Sequence, residues 1–273
     1  MKKAIKIILV CAVLAIALTA LYVLTAFLGN PLSAYLARKT AEEHLSESYP
    51  DDLVIDEVFY SFKDSLYYAT VTDPDSIDGS FYLAINLLGR LVRDSYADDV
   101  LSGRNTAERL YDGYRTMVSE VLESAELEGL AEIAFGSIAY TPSEYKDDPS
   151  TPDYALITEE LERDKEYDIA EVGAVAGSLT LYFESEEPSI EQLAQILLRV
   201  KAVFDEAGVP FYAINCVLNG YIESTDESVR LEVMDFLYAD IYEDGLADRV
   251  AEADAAARAY YEQYDKEDDV IHE

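Results

Sequence analysis

The chain has 273 residues, of which 55 are Asp or Glu and 20 are Lys or Arg, giving a formal net charge of −35. A surface this acidic repels nucleic acid and anionic head groups, which argues against either as a partner, and would attract cations, basic peptides or cationic wall polymers. Half of the residues are hydrophobic and 22 are tyrosine, so the chain is a folded protein and not a disordered acidic tail.

Lys2, Lys3 and Lys6 open the sequence, and Ile7 to Gly29 follow without a single charge. At about 1.5 Å per residue this run makes a helix long enough to cross a bilayer core with some tilt. The first acidic residue is Glu42. The positive-inside bias therefore predicts a cytoplasmic N-terminus and an extracytoplasmic remainder. A cleaved signal peptide is the rival reading. Its small-x-small candidate, Ala15-Ile16-Ala17, falls in the middle of the apolar run, and cleavable apolar regions are about half as long. An uncleaved single-pass anchor is expected. Val10 before Cys11 argues against lipid attachment there.

Gly29-Asn30-Pro31 suits the end of one helix and the start of the next. That second helix is predicted over Pro31 to Ser48, with Ala34, Ala37, Ala41 and Leu45 on one stripe. Strands follow over Leu53–Phe62, Leu66–Thr72 and Ser80–Leu88, with a short fourth at Leu91-Val92. Asn105 and Glu108 resemble a capping box, and Leu110, Tyr114, Met117, Val121 and Ala125 repeat at helical spacing to Leu127, which predicts a helix linking two domains.

The second half reads as a strand at Ala131–Tyr140, a proline-rich surface loop at 141–152, a short helix at Tyr154–Arg163 and a strand at Val172–Glu184. A helix capped by Ser189 and closed by Gly208 and Pro210 comes next. Phe211–Leu218 and Val229–Tyr238 then read as an antiparallel pair across Asn219-Gly220. In the latter the apolar phase shifts after Val233, which a bulge or burial of both faces explains. A last helix is expected over Leu246–Tyr264, burying Leu246, Val250, Ala257 and Tyr261.

The fold class expected is α+β. An anchor (1–29) precedes an αβββ domain (30–103), a connecting helix (104–128) and a second α/β sandwich with an antiparallel sheet (129–265), before an acidic tail (266–273). The second domain suggests a split βαβ sheet, a ferredoxin-like arrangement being one form of it.

The chemistry available is narrow. Cys216 is the one cysteine beyond the apolar run, so no internal disulfide is expected, and its strand phase predicts a buried structural thiol. His44 and His272 are the two imidazoles, which leaves no basis for a histidine triad or zinc site. Asp73, Asp75 and Asp78 share a loop, but their spacing departs from a calcium loop, and Asp, Pro, Ser and Gly are what a turn requires. The pairs Asp147-Asp148, Glu159-Glu160 and Glu186-Glu187 could serve a carboxylate-based hydrolase, yet in so acidic a chain adjacent acids are expected on solvated surfaces. Tyr67, Tyr68, Tyr82, Tyr96 and Tyr111 gather in the first domain, and an exposed row of them would suit a peptide or glycan. No catalytic, cofactor-binding or metal-ligating residue and no cofactor is assigned.

The segment from Gly29 to Pro50, GNPLSAYLARKTAEEHLSESYP, followed by VFYSFKDSLYYATVTDP, resembles the YfjL-like family of Firmicutes membrane proteins. The likeness rests on the lysine-tipped anchor, the Gly29-Asn30-Pro31 junction and the run Tyr60 to Tyr68. The helix-and-strand order also resembles PepSY and cystatin-like modules, small exported domains. The YfjL-like resemblance implies no established activity and no functional residues to carry over. The absence of usable His, Cys or Gly-rich signatures points to a non-enzymatic, membrane-tethered binding or regulatory protein of a Gram-positive envelope, with a carboxylate-based cell-wall hydrolase or a cation-binding envelope protein as the alternatives. This chain differs from such relatives in its acidity.

Overall fold

The structure is a computed structural model and describes residues 2–49, 52–124, 131–222 and 227–271. It is a mixed α+β protein of two units, residues 1–105 and 106–273.

Helix α1 (Lys2–Leu28) carries the apolar run, and a helical stretch beginning at Ala12 is the one among the described residues long and apolar enough to cross a membrane. Gly29 breaks it at φ +71°, a left-handed conformation that suits glycine. Asn30 then caps α2 (Pro31–Ser48), accepting from Ser33 N–H at 2.8 Å.

β1 (Val54–Ser61), β2 (Leu66–Thr72), β3 (Phe81–Asn86) and β4 (Leu91–Asp94) form an antiparallel meander in chain order. Alternation places Tyr67, Ala69 and Val71 of β2 and Phe81, Leu83 and Ile85 of β3 under the Ala37, Ala41 and Leu45 stripe of α2. Ser33 lies on the same stripe and is buried because its hydroxyl donates to Leu87 O at 2.7 Å. A π-helical turn, Ala97–Leu101, adds Val100 to this core.

Helix α3 (Arg104–Ser124) starts one residue before the expected cap. The Asn105 amide instead donates to the Asp78 and Ser80 carbonyls, at 2.8 and 2.6 Å. The buried stripe of α3 (Leu110, Tyr114, Val118 and Val121) lies in the core of the second unit. Ala125 and Leu127 fall outside the described residues.

β5 (Ala131–Ile138) is followed by a two-residue parallel pair, β6 (Tyr140–Thr141) and β7 (Leu156–Ile157). The helix expected at Tyr154–Arg163 is therefore absent, replaced by β7 and a 3-10 turn at Thr158–Glu160. The strand expected from Val172 also starts later. Asp168 accepts from the Ala170 and Glu171 N–H groups and caps a helix, α4 (Ile169–Ala176), before β8 (Gly177–Ser185). The run Val172-Gly173-Ala174-Val175-Ala176 is apolar throughout and carries no period to separate helix from strand.

Helix α5 (Ile190–Ala207) is capped by Ser189 and ends on Gly208 in the left-handed conformation, as expected. β9 (Ala213–Ile222) pairs with β10 (Glu227–Leu237). Asn219-Gly220 is not their turn, because β9 runs through it. A Cβ at Gly220 would lie 2.3 Å from the Ser185 carbonyl oxygen, so close backbone approach requires the glycine. The phase shift after Val233 is a register irregularity between Val233 and Phe236, with Asp235 at φ 46°.

The second sheet has the order β10-β9-β8-β5, with β8 and β9 parallel and the outer pairs antiparallel. The βαβ unit is thus not split: α5 returns the chain to the strand beside β8. Leu179, Leu181, Ile214, Cys216, Leu218, Leu231 and Val233 form the core face, packed with residues of α3 and α5. α6 (Leu246–Ile271) runs beside β10 and continues past the expected end at Tyr264. Leu246 and Val250 join the core, whereas Tyr261, expected to be buried, is 44% exposed.

Candidate functional site

The outer face of the second sheet is polar. Strand alternation opposite Leu179 and Leu181 places Ser178, Thr180 and Tyr182 there, and the same phase brings Ser137, Asn215, Arg230 and Glu232 beside them. Together with Tyr154, Asp235 and Tyr261 they line a cavity of about 430 Å³. The bulge in β10 turns Asp235 into a chain of hydrogen bonds: Tyr154 donates to its carboxylate, its own N–H donates to Asn215 Oδ1 at 2.8 Å, and Asn215 Nδ2 donates to Ser178 at 3.3 Å. The Tyr154 ring packs on Tyr212 at 4.8 Å. Burial, then the hydrogen bond to Asp235, pushes the Tyr154 phenol well above its usual pKa and keeps it a donor.

At the other side of the cavity Glu232 is only 4% exposed. Its backbone N–H, on the edge of the sheet, donates to Asp254 of α6 at 3.0 Å, and Asp254 pairs with Arg258 at 2.8 Å. Arg230 Nε donates to Glu232 Oε2, while Oε1 takes no hydrogen bond. The Tyr261 phenol approaches this carboxylate, and burial, then the Glu232 charge, raises its pKa. A larger concavity of about 690 Å³ beside Glu184, Asn219 and Arg230 is lined without a buried polar side chain.

Two clusters stand out in the first unit. Phe59, Tyr68 and Tyr82 form a ladder across β1, β2 and β3, with ring centroids 5.6 and 5.4 Å apart, and the Arg93 guanidinium lies 5.7 Å from the Tyr82 ring. The hydrogen bond to Asp64, then burial, pushes the Tyr68 phenol up to about 12. On the other face, Asp94 Oδ2 accepts from Tyr49 at 2.6 Å and lies 2.7 Å from His44 Nε2, and Oδ1 accepts from Tyr96 N–H at 2.9 Å.

Burial alone would raise the Asp94 pKa, but the hydrogen bonds from Tyr49 and His44 outweigh it and hold the group below the usual carboxylate range. Its folded value is lower than the unfolded value of about 3.9. Its stabilisation is therefore complete above that pH and is lost as pH falls through the folded value. In urea titrations of wild type and Asp94→Asn, the stability gap between them should close as the pH is lowered from about 5 to below about 4. A gap that stays unchanged through that acid window would show that the charge of Asp94 contributes nothing.

The residues singled out in the sequence fall elsewhere. In the loop of Asp73, Asp75 and Asp78, Asp73 Oδ1 accepts from Asp75 N–H at 3.0 Å, which is turn geometry, and Asp78 is buried. No group of three or more His, Cys, Asp or Glu converges among the described residues. Asp148 accepts from Ser150 and Glu159 from Ser143, both at the surface, and Glu186 and Glu187 are exposed. Tyr67 is buried at the α1–α2 junction, Tyr68 and Tyr82 enter the ladder, Tyr96 packs on Tyr49 and Phe81, and Tyr111 packs on Tyr140 in the second unit. Burial pushes the Cys216 thiol up to about 12, consistent with a structural role. His272 lies outside the described residues. Glu232 was not legible as a site residue, since Arg-Leu-Glu-Val reads as any half-buried strand. The phase break after Val233 was the one signal pointing to Asp235.

No curated protein and no solved structure matches the chain significantly. A model of the YfjL-like N-terminal domain matches residues 1–94, and one of the YfjL-like C-terminal domain matches residues 114–251. The two matches fall in order, one on the apolar helix with its four-stranded unit and one on the unit that holds the polar cavity. The chain belongs to the YfjL-like family.

Proposed function

We propose that the protein is a single-pass, membrane-tethered, non-enzymatic binding or regulatory module of a bacterial cell envelope, with the bulk of the chain extracytoplasmic. The observation that carries this reading is the joint between the apolar helix and the first unit. Asn30 N–H donates to the Tyr67 hydroxyl at 2.7 Å, and that hydroxyl donates back to Asn30 O at 2.9 Å. Tyr60 donates to Ala26 O at 3.2 Å, and Phe27 packs on Phe62 at 5.8 Å. A segment destined for cleavage has no need of side chains from the mature domain locked around its end. The second unit supports binding over catalysis. The two carboxylates in its cavity are each already engaged, Glu232 by Arg230 and Asp235 by Tyr154.

A phosphatase reporter fused after Gly29 should be active, and the full chain should stay in the membrane pellet through an alkaline wash. Recovery of a shortened soluble product would show cleavage, and an inactive reporter would reverse the orientation. Either result would overturn the reading.

A further inference from the structure

We propose that the end of the first unit nearest the apolar helix docks on the bilayer itself, with the tips of its two hairpins seated at the level of the lipid head groups. This rests on the membrane-tethered reading above and adds a second lipid contact to it. β1 to β4 form an antiparallel meander, so the β1–β2 turn (62–65) and the β3–β4 turn (87–90) lie at one end of the sheet and the β2–β3 loop at the other. The apolar helix arrives at the end with the two turns. Tyr60 donates to Ala26 O at 3.2 Å, Phe27 packs on Phe62 at 5.8 Å, and Ser33 in the first turn of α2 donates to Leu87 O at 2.7 Å. Depth follows from this contact. At about 1.5 Å per residue the apolar run from Ile7 to Leu28 measures about 33 Å, slightly more than the roughly 30 Å of a hydrocarbon core. Phe27 therefore stands at the boundary between acyl chains and head groups, and Phe62, packed on its ring, stands there with it.

The side chains presented at this end fit that layer. Leu28, Leu32, Tyr35, Phe62 and Leu88 come from four separate segments and are 55–74% exposed. Large apolar side chains gathered in one place on a surface mark a contact, and Tyr35 has the ring and hydroxyl that the interfacial layer favours. Charge changes in the same direction. Glu42, Glu43 and Glu47 occupy the later turns of α2, and Asp73, Asp75 and Asp78 occupy the β2–β3 loop at the far end. The two turns carry Lys63 and Arg90, and their one acid, Asp64, accepts from the Tyr68 hydroxyl. The repulsion that so acidic a chain exerts on head groups is thus lifted where the chain meets them, and two bases stand at the level of the lipid phosphates. A second copy of the chain, bearing the same charge of −35, is the poorer cover for this end.

The chain contains no tryptophan, so single substitutions report their own surroundings. The test uses the full chain reconstituted in vesicles of phosphatidylcholine and phosphatidylglycerol, with or without bromine on the acyl chains. Emission of Phe62→Trp and Leu88→Trp should shift to the blue and be quenched by bromine near the head group about twofold more than that of Ile77→Trp in the exposed β2–β3 loop. All three positions are exposed, so none of these variants disturbs the core. Quenching at 62 and 88 no greater than at 77 would overturn the proposal. So would a blue shift at 62 and 88 that bromine leaves unquenched, because the cover would then be protein. Val13→Trp, within the apolar helix, reads the tether separately. Quenching there with none at 62 and 88 removes this proposal alone, whereas no quenching at any position removes both.

Discussion

Tyr114→Ala should melt the second unit about 10 °C below wild type. Tyr114 is fully buried on α3, between that helix and α4. A Cβ at Gly173 would lie 2.4 Å from its ring, and one at Gly177 would lie 2.7 Å from its hydroxyl, so Gly173 of α4 and Gly177 at the start of β8 both face this side chain directly. Its hydroxyl donates to Pro210 O at 3.0 Å, and burial keeps the phenol neutral by raising its pKa. Removing a buried aromatic ring costs about 3–5 kcal/mol, and in a unit of this size each kcal/mol moves Tm by about 2–4 °C. Tyr114→Phe keeps the ring and loses only the hydrogen bond, about 1 kcal/mol. Calorimetry of the two variants separates packing from hydrogen bonding. A Tyr114→Ala melt within about 3 °C of wild type would mean that α3 is not a core helix of this unit.

Gly29→Ala should destabilise the first unit by about 3 kcal/mol and free the end of the apolar helix. Two effects add. The left-handed φ of +71° costs a residue with a side chain about 1–2 kcal/mol. The added Cβ would also stand 2.5 Å from the Tyr67 hydroxyl and 2.8 Å from the Tyr60 ring. Tyr67 must then retreat and give up its bonds to Asn30, leaving a backbone N–H without its partner at about 1–3 kcal/mol. Amide exchange at Asn30 and along β2 should rise together. Unchanged protection at both would show that the junction is not held by Tyr67.

The parts of this fold that could be read in advance are those set by local chemistry. α2, with Asn30 as its cap and Pro31 in its first turn, and α5, with Ser189 and Gly208 at its ends, carry their boundaries in single residues. β2 alternates cleanly because one face meets α2 and the other does not, and β3 follows the same pattern except at Ala84, which is buried. Legibility failed where tertiary contact decided. Asn219-Gly220 has the composition of a hairpin turn, but Gly220 is required by the approach of Ser185 and Pro188, which the local sequence does not show. α4 and β8 share one apolar stretch, and the bond of Asp168 to two N–H groups fixes only where the helix starts. The polar cavity was the least legible feature. Its residues come from β5, β8, β9, β10, α6 and the loop holding Tyr154, so nothing short of the sheet order brings them together.

The junction of α1 and α2 limits where the first unit can work. Only Gly29 and Asn30 separate the two helices, a stretch that spans at most about 7 Å even fully extended. With α1 in a bilayer, as proposed, the four-stranded unit is confined to a layer hugging the lipid surface and cannot sample the space beyond. Its encounters then become a search in two dimensions. A companion embedded in the same membrane meets it at a far higher local concentration than a freely diffusing one of equal abundance. Lengthening the joint with a flexible Gly-Ser insert would relax that confinement by releasing Ala26 and Phe27 from Tyr60 and Phe62, while leaving the packing of α2 on the sheet intact.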